Sequence, residues 1–141
     1  MDKIKILFVC IHNSARSQMA EAFVNKYYGD KFMAESAGLE PGILNPLVVR
    51  SMSETGIDIS KNETKDVFTF LKEGRKYDYV ITVCDEASGQ RCPVFPGAGR
   101  KINWSFEDPS DLTGTEEEKL KRIASIRDNI KARVNEFLQT L

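Results

Sequence analysis

The 141-residue chain has no surplus of one charge: 20 lysines and arginines face 21 aspartates and glutamates, a net charge of −1. That balance supplies no field able to gather nucleic acid or an anionic membrane surface, so neither is an expected partner. A small anion can still be held, but only by a local site. No apolar run approaches membrane-spanning length. A secretory signal is not expected either, because Lys3 and Lys5 lead into a short strand and then polar residues. The cytoplasm is the expected compartment. Cysteine is scarce and odd in number (Cys10, Cys84 and Cys92), which in a reducing compartment points to chemistry rather than to a disulfide framework. Histidine occurs once, at His12, and C-x2-C not at all, so a zinc set is not expected and no metal is required. Repeats, low-complexity tracts and linkers are missing, and the length suits one domain, residues 1–141, expected to be monomeric.

What is present alternates between strand and helix. Residues 3–9 (KIKILFV) are apolar and β-branched, as in a buried strand. Over 14–28 the spacing turns helical, with Met19, Ala20, Phe23, Val24 and Tyr27 on one face. A short strand is expected near 32–36. Asn45 and Pro46 then serve as N-cap and first residue of a helix that stops at Gly56. A third helix falls near 66–72, further strands at 77–83 and 101–104, and a closing helix at 116–141. That last helix opens on a capping box, Thr115 with Glu118, and carries an apolar stripe through Leu120, Ile123, Ile126, Ile130, Val134, Phe137 and Leu141. The pattern predicts an α/β fold of three α/β/α layers around a four-stranded parallel sheet. In such folds sites lie beyond the carboxyl ends of the strands, where Cys10, Cys84 and the Asp108 region all fall.

The segment between the first strand and first helix carries the strongest signal. Cys10 and Arg16, with five residues between them, bracket a loop whose residues Ile11, His12, Asn13, Ser14 and Ala15 can aim backbone N–H groups at an anion. The positive end of the helix and the planar fork of Arg16 add to that field. A tetrahedral oxyanion would sit above Cys10, whose ionised, nucleophilic form the same field favours. Asp108, in Glu107-Asp108-Pro109-Ser110, is placed to donate a proton to an oxygen leaving the atom that Cys10 attacks. An Asp-Pro pair is also ordinary turn chemistry. Cys92 follows Cys84 by eight positions in a segment rich in glycine, proline and small polar residues, which reads as a loop able to bring two thiols together.

Together these residues resemble the low-molecular-weight protein tyrosine phosphatase fold family, and with Cys84 and Cys92 added they resemble its thioredoxin-coupled arsenate reductases. The resemblance covers essentially the whole chain and is most specific at residues 13–21, Ser36-Ala37-Gly38, residues 56–60, Cys84 with Cys92-Pro93, and Asp108-Pro109. It implies that Cys10 attacks arsenate, Arg16 and the loop amides bind its oxygens, Ser17 stabilises the thiolate and Asp108 protonates the departing oxygen. It further implies that Cys84 and then Cys92 carry the oxidation away as successive disulfides, which thioredoxin opens, with no tightly bound cofactor. A potassium ion is bound near the loop in some relatives, and Asn13, Glu21, Ser36 and Asp66 stand at corresponding positions. Two departures stand out: His12 replaces the family's usual glycine and is read as structural, and the Cys84–Cys92 loop is one residue longer.

Two other readings share these residues. A phosphotyrosine-type phosphatase would form a phosphocysteine on Cys10, with Cys84 and Cys92 only protecting it. Ser110 speaks against it, since such enzymes usually follow Asp-Pro with an aromatic that lines an aryl pocket. A phosphocarrier or anion-binding module would have no use for Arg16 and Asp108.

Overall fold

The apolar start of the chain becomes an interior strand of an all-parallel sheet. The computed structural model describes residues 2–84 and 99–141, Cys84 by its backbone alone. Its elements run β1 (Ile4–Cys10), α1 (Arg16–Tyr28), β2 (Phe32–Gly38), α2 (Pro46–Ser53), α3 (Val67–Lys72), β3 (Tyr79–Cys84), β4 (Arg100–Ser105), a 3-10 turn (Pro109–Asp111) and α4 (Glu116–Leu138). The described strands form one sheet in the order β2-β1-β3-β4, every neighbouring pair parallel.

Alternation along β1 divides the core in two. Ile6, Phe8 and Cys10 join Met19 and Phe23 of α1 and Ile123, Ile126, Ile130 and Val134 of α4. Leu7 and Val9 pack on the opposite face with Val67 and Phe70 of α3. Helices therefore cover both faces, as the sequence predicts. The chain steps from β1 to β2 on one side and then returns past β1 to β3 on the other. At such a reversal a crevice opens beyond the carboxyl ends of the strands. Cys10 is the last residue of β1, beside that crevice.

Several boundaries move, each for a local reason. The first helix begins at Arg16 rather than residue 14, because Ala15 before it takes a non-helical backbone conformation (φ −149°, ψ −84°). Strand β2 runs on to Gly38, since its pairing with β1 continues to Cys10. Strand β3 starts at Tyr79, two residues late: the Tyr77 hydroxyl donates to Glu35, and the Asp78 carboxylate accepts the Lys5 N–H at 2.8 Å. The second helix stops at Ser53, and Gly56, at φ 84°, ends the turns that follow. Thr115 caps α4 by accepting the Glu118 N–H, as expected, but the helix closes at Leu138, which leaves Leu141 exposed. Tyr27 is also exposed, at the rim of the α1 face, where its ring stacks on Phe23. The 3-10 turn after Asp108 is too short for periodicity to reveal.

Candidate active site

The loop from Ile11 to Ala15 owes its shape to the segment that follows β2. Leu39, Glu40, Gly42 and Asn45 donate their N–H groups to the carbonyls of Cys10, Ile11, His12 and Ser14 at 2.8–3.2 Å. With those carbonyls tied outward, the planar trans peptides turn the loop's N–H groups the other way. Gly38 permits the close approach: a Cβ there would stand 2.8 Å from the Ile11 carbonyl oxygen and 2.9 Å from the Asn13 nitrogen. Ala15, at the N-cap of α1, has no side-chain acceptor, so the first N–H groups of the helix are not consumed by a cap.

The Cys10 sulfur is buried and receives the Asn13 N–H at 3.0 Å, with the Ser17 hydroxyl 2.9 Å away. The direction of that second bond follows from its neighbours. Lys65 donates its backbone N–H to Asn13 Oδ1 at 2.9 Å, which fixes the oxygen end of the amide and leaves Nδ2 to donate to Ser17 Oγ at 2.7 Å. Ser17, already accepting, directs its proton at the sulfur. Two donors thus converge on one sulfur. Gln18 fixes the Asn13 side of this chain: its Nε2 donates to Asn13 Oδ1 and to the Asn13 and Glu63 carbonyls, and its Oε1 accepts from Asn62. Sequence spacing gives no sign of Asn62 or Lys65, which lie 44 and 52 positions from their partners.

Ser17→Ala is expected to slow alkylation of Cys10 by iodoacetamide at neutral pH about tenfold or more, the scale of a charge-assisted hydrogen bond. Peptide mass mapping isolates the Cys10 rate from those of Cys84 and Cys92. An unchanged rate would show that the serine hydroxyl does not support the thiolate.

Arg16 and Asp108 meet above this loop. The Arg16 guanidinium donates to the Phe106 carbonyl at 3.1 Å and pairs with Asp108 Oδ2 at 3.1 Å, both side chains buried. Asp108 Oδ1 accepts the Ser110 N–H at 2.9 Å, so the ordinary turn role and a place in the site coexist in one carboxylate. Cys10, His12, Ser14, Ala15, Arg16 and Asp108 line a single concavity. Of the other expected residues, Cys84 ends β3, which lies beside β1 with Val9 opposite Thr82. Its side chain and all of Cys92 lie outside the described residues.

The four positions expected near a potassium ion are largely engaged otherwise. Asn13 Oδ1 accepts from Lys65 and Gln18, and Asp66 Oδ1 caps α3 by accepting the Phe68 N–H. The Ser36 hydroxyl is buried beside the Glu21 carboxylate, and the Lys65 ammonium stands 3.7 Å from that carboxylate and supplies a positive charge there. Among the described residues no three His, Cys, Asp or Glu side chains gather as metal ligands.

Burial pushes the Glu21 carboxyl above its ordinary 4.5, against the pull of Lys65. The folded chain then holds that proton more tightly than the unfolded one, so this group takes away stability as pH rises from 4.5 through the raised value. Urea unfolding should accordingly show Glu21→Gln gaining on the wild type between pH 4.5 and pH 7. An equal difference at both ends would mean that Lys65 offsets the burial fully.

A family model described as low molecular weight phosphotyrosine protein phosphatase matches residues 5–141. The chain is 42% identical over 142 aligned positions to an arsenate reductase of Bacillus subtilis, covering 99% of each protein. A solved arsenate reductase in its oxidized state superimposes with a TM-score of 0.78 at 30% identity, over 96% of this chain and 97% of that one. A thioredoxin-dependent arsenate reductase of Corynebacterium glutamicum gives a TM-score of 0.66 at 29% identity, over 98% of this chain and 61% of that one. The described helices include none long and apolar enough to cross a membrane. With a cysteine and an arginine at the two ends of an anion loop, an Asp-Pro turn facing them, and a match that runs nearly end to end, the chain belongs to the low molecular weight phosphotyrosine protein phosphatase family, among its arsenate reductases.

Proposed function

We propose that this protein reduces arsenate to arsenite by passing two electrons from Cys10, Cys84 and Cys92, and that thioredoxin restores the thiols. The observation that carries the reading is the full-length likeness to proteins that bear the name arsenate reductase, in a chain that also has the nucleophile's setting. The dependence of the Corynebacterium relative on thioredoxin supports the choice of reductant. Ser110, exposed beyond Asp108-Pro109, supplies no aryl wall of the kind a phosphotyrosine substrate needs.

The chemistry starts with the anion held by the loop amides of residues 11–16 and the Arg16 fork. As the guanidinium turns its charge to the substrate, its hold on Asp108 weakens, which favours protonation of that carboxyl. The Cys10 thiolate attacks arsenic, and Asp108 gives its proton to the departing oxygen, which leaves as water. Cys84 then attacks the Cys10 sulfur. The pair of electrons in the sulfur–arsenic bond stays on arsenic, which leaves as arsenite, and Cys10–Cys84 forms. Cys92 attacks Cys84 in turn, freeing the Cys10 thiolate and closing Cys84–Cys92, which a thioredoxin dithiol reduces. A phosphate ester accepts no electrons, so hydrolysis alone has no use for these steps.

The assay that tests this function is arsenate-dependent oxidation of reduced thioredoxin. Thiol loss that tracks arsenite formed, two thiols for each arsenite, is the expected result. Efficient hydrolysis of aryl phosphates with no thioredoxin oxidation would give the phosphatase reading its place.

A further inference from the structure

Gln18 is a fully buried amide one residue beyond Ser17, and it lines no part of the concavity above Cys10. Its surroundings leave it one orientation. Nε2 faces three oxygens: the Asn13 carbonyl at 3.2 Å, the Glu63 carbonyl at 2.9 Å and Asn13 Oδ1 at 3.1 Å. The two carbonyls can only accept, and Asn13 Oδ1 is identified as an oxygen by the Lys65 N–H that it accepts. Turned over, the Gln18 amide would set its own oxygen against all three. Oε1 is therefore aimed at residue 62, where the half-buried Asn62 donates from Nδ2 at 3.1 Å. The turn that carries Asn62 is closed by its own N–H on the Ile59 carbonyl at 3.0 Å.

One side chain thus holds both oxygens of Asn13, the residue whose backbone is left-handed (φ 54°) and whose N–H meets the Cys10 sulfur. A residue other than glycine keeps that conformation only where its surroundings impose it. We propose, resting on the oxyanion reading of the site, that Gln18 and Asn62 are positioning residues for anion binding. Gln18 holds the Asn13 turn, which keeps the loop amides aimed at the anion. Asn62, outside the concavity, fixes the direction of the Gln18 amide and so acts on the anion only through it.

The probe is inorganic phosphate, and the readout is its protection of Cys10 from iodoacetamide, with the Cys10 peptide followed by mass and urea unfolding measured alongside. Asn62→Leu removes the donor at similar volume, and Asn62→Asp sets an acceptor against Gln18 Oε1. Asn62→Leu is expected to bind phosphate about fivefold more weakly than the wild type, and Asn62→Asp about tenfold more weakly. A residue that served stability alone would lower the unfolding midpoint and leave the affinity of the folded molecules unchanged. Gln18→Met provides the background that separates the routes, since Asn62 then has no amide to act through. In that background neither change at Asn62 should cost further affinity. A loss seen with Asn62→Asp but not with Asn62→Leu, or one that persists in full beside Gln18→Met, would trace to added charge or to the backbone of the segment and overturn the inference. Wild-type affinity in Asn62→Leu would overturn it too, a result that decides alone if Gln18→Met does not fold. Absence of any protection in the wild type would overturn the oxyanion reading, and the inference with it.

Discussion

Cys10→Ser is expected to bring arsenate turnover under saturating reductant down to background while leaving phosphate binding largely intact. The oxygen that replaces the sulfur can still accept from Asn13 and Ser17, so nothing that shapes the loop is lost. The carbonyls of residues 10–12 and 14 stay tied to the segment after β2, and Arg16 keeps its place beside Asp108. Only the nucleophile disappears, because a serine hydroxyl is a far weaker nucleophile than a thiolate. Arsenite production and calorimetric phosphate binding measure the two halves separately. Undiminished arsenate reduction by this variant would eliminate the mechanism.

Asp108→Asn should lower turnover by about 10²–10⁴-fold, the usual effect of losing a positioned general acid. The asparagine oxygen can still accept the Ser110 N–H, so the 3-10 turn and the shape of the site persist. What it cannot do is donate a carboxyl proton or pair as an anion with Arg16. Substrate affinity is therefore expected to hold or rise, since the guanidinium loses its internal partner. Single-turnover kinetics separate the steps: a first chemical step at the wild-type rate would reduce Asp108 to a helix-capping residue.

The fold was legible because its signals are local and repeated. The β-branched run of β1, the Asn45-Pro46 start of α2, the Asp66 cap of α3 and the Thr115 cap of α4 each specify their element within a few residues. Ends set by tertiary pairing were not legible. Strand β2 reaches Gly38 only because β1 lies beside it, and β3 begins at Tyr79 because Asp78 is bound to Lys5. In the site, Cys10, Ser17, Arg16 and Asp108 stood out through residue type and spacing. The amide chain from Asn62 through Gln18 to Asn13 did not, since uncharged polar residues carry no pattern until a distant segment such as 62–65 folds against them. The Arg16–Asp108 pair likewise joins residues that only the sheet brings together.

The relay is tested most directly by the reaction of fully reduced protein with arsenate when no reductant is present. One equivalent of arsenite per molecule is expected, then arrest, with a Cys84–Cys92 disulfide in the peptide map, because that bond supplies the two electrons arsenic takes up. Cys92→Ser should stop one exchange earlier, holding Cys10–Cys84. Wild-type protein that releases no arsenite and keeps all three thiols, or a Cys84→Ser/Cys92→Ser variant that reduces arsenate normally with thioredoxin, would contradict it.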